Sequence, residues 1–207
     1  ALQLAYKNLV GAGLRTWLNV IVLSFSFVVM IFYNGLLDGW NQQAKRDTIA
    51  WELGKGHLVN NAYDKSDPFT LQDGHALIPD EALENTTPVL YRQGTLYPDG
   101  RMISALLKGI DIEKSELELP TDLLMNSTAD VPVLIGNRMA ESTNLKVGDE
   151  VLMRWRDQNG TFDAKTVTIV GVFDTDVPMV DNGQVWMAIN DLWEMTGLDN
   201  HATICVA

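Results

Sequence analysis

From Trp17 to Leu37 the chain reads WLNVIVLSFSFVVMIFYNGLL, and between Arg15 and Asp38 no ionisable side chain interrupts it. The tract lacks the 3.6-residue alternation of a half-buried helix: it is apolar on every face, which suits lipid better than one protein surface. As a helix rising about 1.5 Å per residue it spans about 31 Å, close to a hydrocarbon core of about 30 Å. Thirteen of its residues are Leu, Ile, Val or Phe; at about −0.3 to −0.6 kcal/mol each they outweigh Asn19 and Asn34. The pattern predicts a transmembrane helix over residues 15–37. A signal peptide fits less well, because Phe32-Tyr33-Asn34-Gly35 offers no small-x-small cleavage site. A buried core helix of this kind needs a larger surrounding domain than the rest of the chain supplies.

The flanks carry different patterns. Before the span, Leu2, Ala5, Leu9 and Ala12 recur at helical spacing, so residues 1–14 are expected to form an interfacial elbow. After it, Leu36, Leu37, Trp40, Ala44 and Thr48 fall on one helical face, with Asp38, Gln42, Lys45 and Arg46 on another. No proline occurs before Pro68, so the helix is expected to continue as a stalk over residues 38–50, its contact face Leu37, Trp40, Ala44 and Thr48. Lys7 and Arg15 precede the span without an acid, which places that end in the cytoplasm and residues after 37 outside. Trp17 and Trp40 suit the two interfaces as anchors; for Trp40, packing against the body or a partner helix is an equal alternative.

Beyond the stalk the texture turns to short strand-like runs. Gly56–Tyr63 reads as a first strand, broken by Asp67-Pro68, with a weakly helical stretch to Asn85. Pro88–Tyr91 and Gly94–Tyr97 approach Asp99-Gly100, a hairpin turn into Met102–Leu107. Val131–Ile135 leads into a helix at about 138–143, then a strand through Trp155, a turn at Asn159-Gly160 and a β-rich strand, Lys165–Phe173. Gln184–Ala188 is a strand; Asn190 caps a helix closed at Gly197; Ala202–Val206 ends the chain as a strand. The fold class is α+β without internal repeat.

Charge and chemistry then exclude more than they select. All 27 acids lie at or beyond Asp38, so with Lys7 and Arg15 set aside 13 cations face 27 acids, and residues 38–207 carry −14. No basic stripe is present to displace counterions, which argues against nucleic acid. The single cysteine, Cys205, excludes an internal disulfide. There is no P-loop, G-x-S-x-G or H-E-x-x-H, and His57, His75 and His201 lack ligand spacing. Asp174, Asp176 and Asp181 miss the calcium-loop pattern and read as a solvated acidic loop. No catalytic residue, metal or cofactor is expected, and the chain is not read as an enzyme.

Three stretches in order carry a family resemblance. YKNLVGAGLRTWLNVIVLSFSFVVMIFYNGLLDGW resembles the first membrane segment of the FtsX/MacB-like ABC-transporter permeases, VLIGNRMAESTNLKVGDEV their "VGD" signature, and TVTIVGVFDTDVPMVDNGQVWMAINDLWEMTG their return segment. Within the superfamily the chain looks most similar to lipoprotein-releasing permeases of the LolC/LolE type, through NGLLDGW, LLKGIDIEKS and MVDNGQVWMAI. It departs from the carrier-docking member, whose long proline-bearing loop is replaced by the tight turn Arg156–Ala164.

The resemblance implies a MacB-like periplasmic core over 51–207, two-lobed, a mixed α/β lobe with an inserted β-rich lobe at about 130–178. It also implies the bacterial inner membrane and three further membrane helices after Val206, so the chain is read as a piece of a longer permease. Its expected partners are an ABC ATP-binding subunit on the cytoplasmic side, a second permease subunit in a homo- or heterodimer, membrane lipid, and a lipoprotein cargo or periplasmic protein. The implied function is to couple ATP hydrolysis to lipoprotein release or export of another cargo by mechanotransmission. The alternative from a different class is the extracytoplasmic sensor or adaptor domain of a membrane-anchored signalling protein; an anchored hydrolase lacks a nucleophile.

Overall fold

The computed structural model describes residues 2–11, 13–79, 86–115 and 117–207. Residues 1–45 and 46–207 form two compact units. The first holds α1, Leu2–Gly11, and most of α2, Leu14–Thr48. Of the elbow positions, Ala12 and the side chains of residues 2 and 9 lie outside the described residues. Leu14–Thr48 is one uninterrupted helix, about 52 Å long at about 1.5 Å per residue, running through residues 15–37 and on to Thr48, with Ile49 and Ala50 in the turn that follows. Its apolar side chains, Trp17, Phe25 and Phe32 among them, are exposed all round. Ser26 donates to the Val22 carbonyl at 2.8 Å and Asn34 to the Met30 carbonyl at 2.9 Å. Each bond satisfies one side-chain donor within the helix. The helix is long and apolar enough to cross a membrane.

In the second unit, the strands are β1 His57–Val59, β2 Ala76–Leu77, β3 Thr87–Leu96, β4 Ile103–Ile110, β5 Pro132–Gly136, β6 Glu150–Arg156, β7 Phe162–Phe173, β8 Gln184–Ala188, β9 His201–Ala202 and β10 Ile204–Val206. The short helices are α3 Thr121–Met125, α4 Asn137–Thr143, α5 Pro178–Asp181 and α6 Ile189–Thr196. Among the described residues, eight strands join in the order β1-β10-β3-β4-β8-β5-β7-β6, and β6 pairs back onto β3. That last pairing, Gly94 opposite Trp155 through Leu96 opposite Met153, closes six strands into a barrel. β3 manages both neighbours by length: residues 87–89 meet β10 and residues 94–96 meet β6. The α+β class holds, and the β-rich segment 130–178 does supply β5, β6 and β7. These strands are woven into the common barrel through β8 and β3, and residues 46–207 cluster as one unit. Side chains from that segment, Val133, Met153 and Ile169 among them, pack in one cluster with Leu90, Leu107 and Met187.

Period-2 alternation sorts the side chains into two cores. Leu90, Leu96, Leu107, Val133, Ile135, Met153, Trp155, Ile169 and Met187 fill the barrel, joined by Ile189 and Leu192 of α6. Val89, Tyr91, Ile110, Leu134 and Trp186 point the other way, beneath Leu117, Leu119, Leu124, Val177 and Val180. At the predicted hairpin, Asp99 (φ 49°) and Gly100 (φ 75°) both take positive φ, and Arg101 N–H closes on the Pro98 carbonyl at 2.9 Å. The second turn is built differently: only Gly160 is left-handed, at φ 77°, and the Asp157 carboxylate accepts from Asn159 and Thr161 N–H. α6 begins at Ile189 with Ala188 at the cap position and no side-chain cap, so Asn190 lies inside the first turn and does not cap. Gly197 closes the helix at φ 69°, its N–H on the Trp193 carbonyl.

Candidate functional site

The chain leaves α2 through one π-helical turn, Ile49–Leu53, which ends when Gly54 N–H bonds the Ile49 carbonyl at 2.7 Å. This turn and the residues after it are sutured to the body at several points. Ala50 carbonyl accepts from Glu118 N–H at 3.0 Å, Lys55 N–H donates to the Ala207 carbonyl at 2.8 Å, and Ala207 N–H to the Gly56 carbonyl at 2.8 Å. Trp51 stacks on Phe173 with centroids 5.5 Å apart.

The fourth residue of the turn, Glu52, carries the most unusual contact. Its Oε1 lies 3.3 Å from the Nζ of Lys108, whose side chain is fully buried. Lys108 sits on the outer face of β4 directly between Tyr91 of β3 and Trp186 of β8, its register partners on either side. The ammonium is 4.7 Å from each ring centroid, an arrangement that compensates a desolvated cation through both ring quadrupoles. Burial pulls the Lys108 pKa down from 10.5 to about 8, with Glu52 opposing. Burial, reinforced by Glu52, raises the Tyr91 phenol well above its ordinary value. Tyr63 packs edge-on to Tyr91 at 5.9 Å. With no exposed surface, Lys108 acts as a rivet between the turn and the sheet.

Neither Glu52 nor Lys108 was singled out by the sequence. The available signal was a lysine inside ALLKGI, an apolar strand run where surface placement is the default. Of the residues that were singled out, Lys7, Arg15, Trp17 and Trp40 all project from exposed positions on α1 and α2, Trp40 at 70% exposure. Leu37, Trp40, Ala44 and Thr48 all fall within α2. Asp181 departs from the solvated acidic loop: it is fully buried, and its Oδ2 meets the Nε of Arg138 at 3.1 Å and accepts from Arg138 N–H at 3.3 Å. Gly136 makes this possible, because a Cβ there would meet the Asp181 backbone. His75 and His201, distant in sequence, come together edge-to-face at 5.2 Å where β2 pairs with β9. Among the described residues no group of three or more His, Cys, Asp or Glu is placed to hold a metal ion.

No family model matches the sequence, and no curated protein matches it. Among solved structures, the chain is similar to the extracellular domain of the noncanonic ABC-type transporter YknZ from Gram-positive bacteria. The identity is 13% and the TM-score 0.44, over 73% of this chain and 80% of that one.

Proposed function

We propose that the chain belongs to a permease subunit of an ABC transporter, held in a bacterial inner membrane by α2 with residues after 37 in the periplasm. Its role in this reading is mechanical. ATP binding and hydrolysis on a separate cytoplasmic subunit shift the membrane helices, and the shift reaches the barrel through α2 and drives lipoprotein release or export of another cargo. A second permease subunit completes the path. The sequence resemblance supplies the family, and one observation supports the mechanism: the apolar tract and stalk form a single helix, Leu14–Thr48, and the turn that follows is locked into the sheet by Glu52 and Lys108. Coupling of this kind needs a stiff element whose two positions the nucleotide biases.

Proline at position 44 tests it. Within a helix it removes one hydrogen bond and clashes one turn back, at a cost of about 3 kcal/mol. In the full transporter reconstituted with its ATP-binding subunit, Ala44→Pro is expected to leave ATP hydrolysis running while cargo movement falls at least tenfold, with the circular dichroism of the body retained. Unchanged transport removes the stalk from the mechanism. Reading the gene past Val206 separates the classes: three further apolar spans beside an ATP-binding-cassette gene support transport, whereas a cytoplasmic signalling module redirects the chain to sensing.

A further inference from the structure

A concave site opens on the barrel where β3, β6 and β7 meet the segment Pro68–Leu71, with a volume of about 360 Å³. That is within the range of small-molecule sites, about 300–1,000 Å³. Its walls hold arginines, although the body carrying them has a charge of −14. Arg154 and Arg156, two apart on β6, share the outer face with Phe162, the register partner of Arg156. The Arg154 guanidinium lies 3.8 Å from the Phe162 ring centroid and that of Arg156 4.5 Å. Neither is ion-paired among the described residues. A guanidinium over an aromatic face keeps its N–H fork available for a carboxylate.

Arg92 is in a different state. It is 3% exposed and donates to the carbonyls of Leu71, Gln72, Arg156 and Asp157, tying the floor together, with Asp73 and Asp157 facing it. The cavity is therefore braced and holds two arginines without an ion pair among the described residues, beside an apolar surface, Phe162 at 53% and Phe69 at 88% exposure. Two cations fall short of the four to eight typical of a surface that binds anionic membranes, and the acidic body repels any extended polyanion. The volume and the paired charge suit one compact ligand.

We propose that this cavity binds a small amphiphilic carboxylate, its anionic head on Arg154 and Arg156 and its apolar body between Phe162 and Phe69. The inference stands on the cavity's own geometry and holds whether or not the chain serves a transporter. The test uses the full chain in phosphatidylcholine nanodiscs and the probe 4-(trifluoromethyl)phenylacetate, followed by fluorine NMR, with the corresponding neutral amide alongside. The acid is expected to bind saturably and about tenfold more tightly than the amide. Arg154→Gln/Arg156→Gln is expected to abolish that preference, Phe162→Leu to weaken the acid about threefold, and Lys146→Gln, a remote exposed lysine, to change nothing. Equal binding of acid and amide to the unmodified protein overturns the proposal without reference to any variant. So does a preference that survives loss of both arginines, or an equal loss in Lys146→Gln.

Discussion

At the scale of single residues, the Glu52–Lys108 couple places an ion pair against a fully buried lysine. A buried ion pair is not by itself stabilising, since desolvation consumes most of its Coulomb energy, but removing one partner strands the other. Glu52→Gln keeps much the same volume and leaves the fully buried Lys108 ammonium without its counter-charge. Urea unfolding of the full chain in micelles, followed by tryptophan fluorescence, is expected to show a loss of about 3 kcal/mol in Glu52→Gln, most of it restored in Lys108→Met/Glu52→Gln. The pH dependence has a definite sign. The folded pKa of about 8 lies below the 10.5 of the unfolded chain, so between those values the unfolded state holds the proton more tightly and folding stability rises with pH. The contribution is flat below about pH 8. The stability of wild type minus that of Lys108→Met is therefore expected to rise from about pH 8 to about 10.5; a fall over that interval refutes the assignment.

Among the elements, the π-helical turn is the most constrained, and Gly54 is the reason it can close. Gly54 adopts φ 58° and ψ −151°, a region essentially reserved for glycine, and a Cβ there would collide with Val206 Cγ1 and fall 3.0 Å from the Ala207 carbonyl oxygen. Gly54→Ala is expected to cost about 3 kcal/mol and to accelerate amide exchange at Lys55 and Ala207, which bond across this junction. Gly56→Ala, with nothing within 4 Å of its added methyl, is expected to be silent; equal effects at both positions refute the steric account. The elements most legible in the sequence were those with local causes. Gln184–Ala188 emerged with the predicted bounds, and Asp99-Gly100 formed the turn its residue types allow. Partner choice was not legible: β4 with β8 and β5 with β7 are parallel pairings between strands far apart in the chain, and β3 with β6 closes a ring. Alternation tells which face a residue takes but not which strand lies beside it. Lys108 was hidden for the same reason, because its two aromatic neighbours come from separate strands.

For the whole molecule, the decisive property is which side of the membrane holds residues 46–207. Cations flank both ends of the apolar tract, so their company decides the direction. Lys7 and Arg15 stand with no acid among the first 37 residues, whereas Lys45 and Arg46 lie about two turns past Leu37, between Asp38 and Asp47. The positive-inside bias thus favours the amino-terminal flank in the cytoplasm. In a Cys205→Ala background, where the removed thiol is buried in any case, a cysteine at exposed Ser66 is expected to react with a membrane-impermeant maleimide on spheroplasts. A cysteine at Lys7 is expected to react only after the membrane is opened. The reverse pattern places the acidic body on the side of the proposed ATP-binding subunit and overturns the proposal that α2 carries a stroke across the bilayer. Labelling of both sites before opening means that the apolar tract does not span at all, and both the span and the transport reading then fall together.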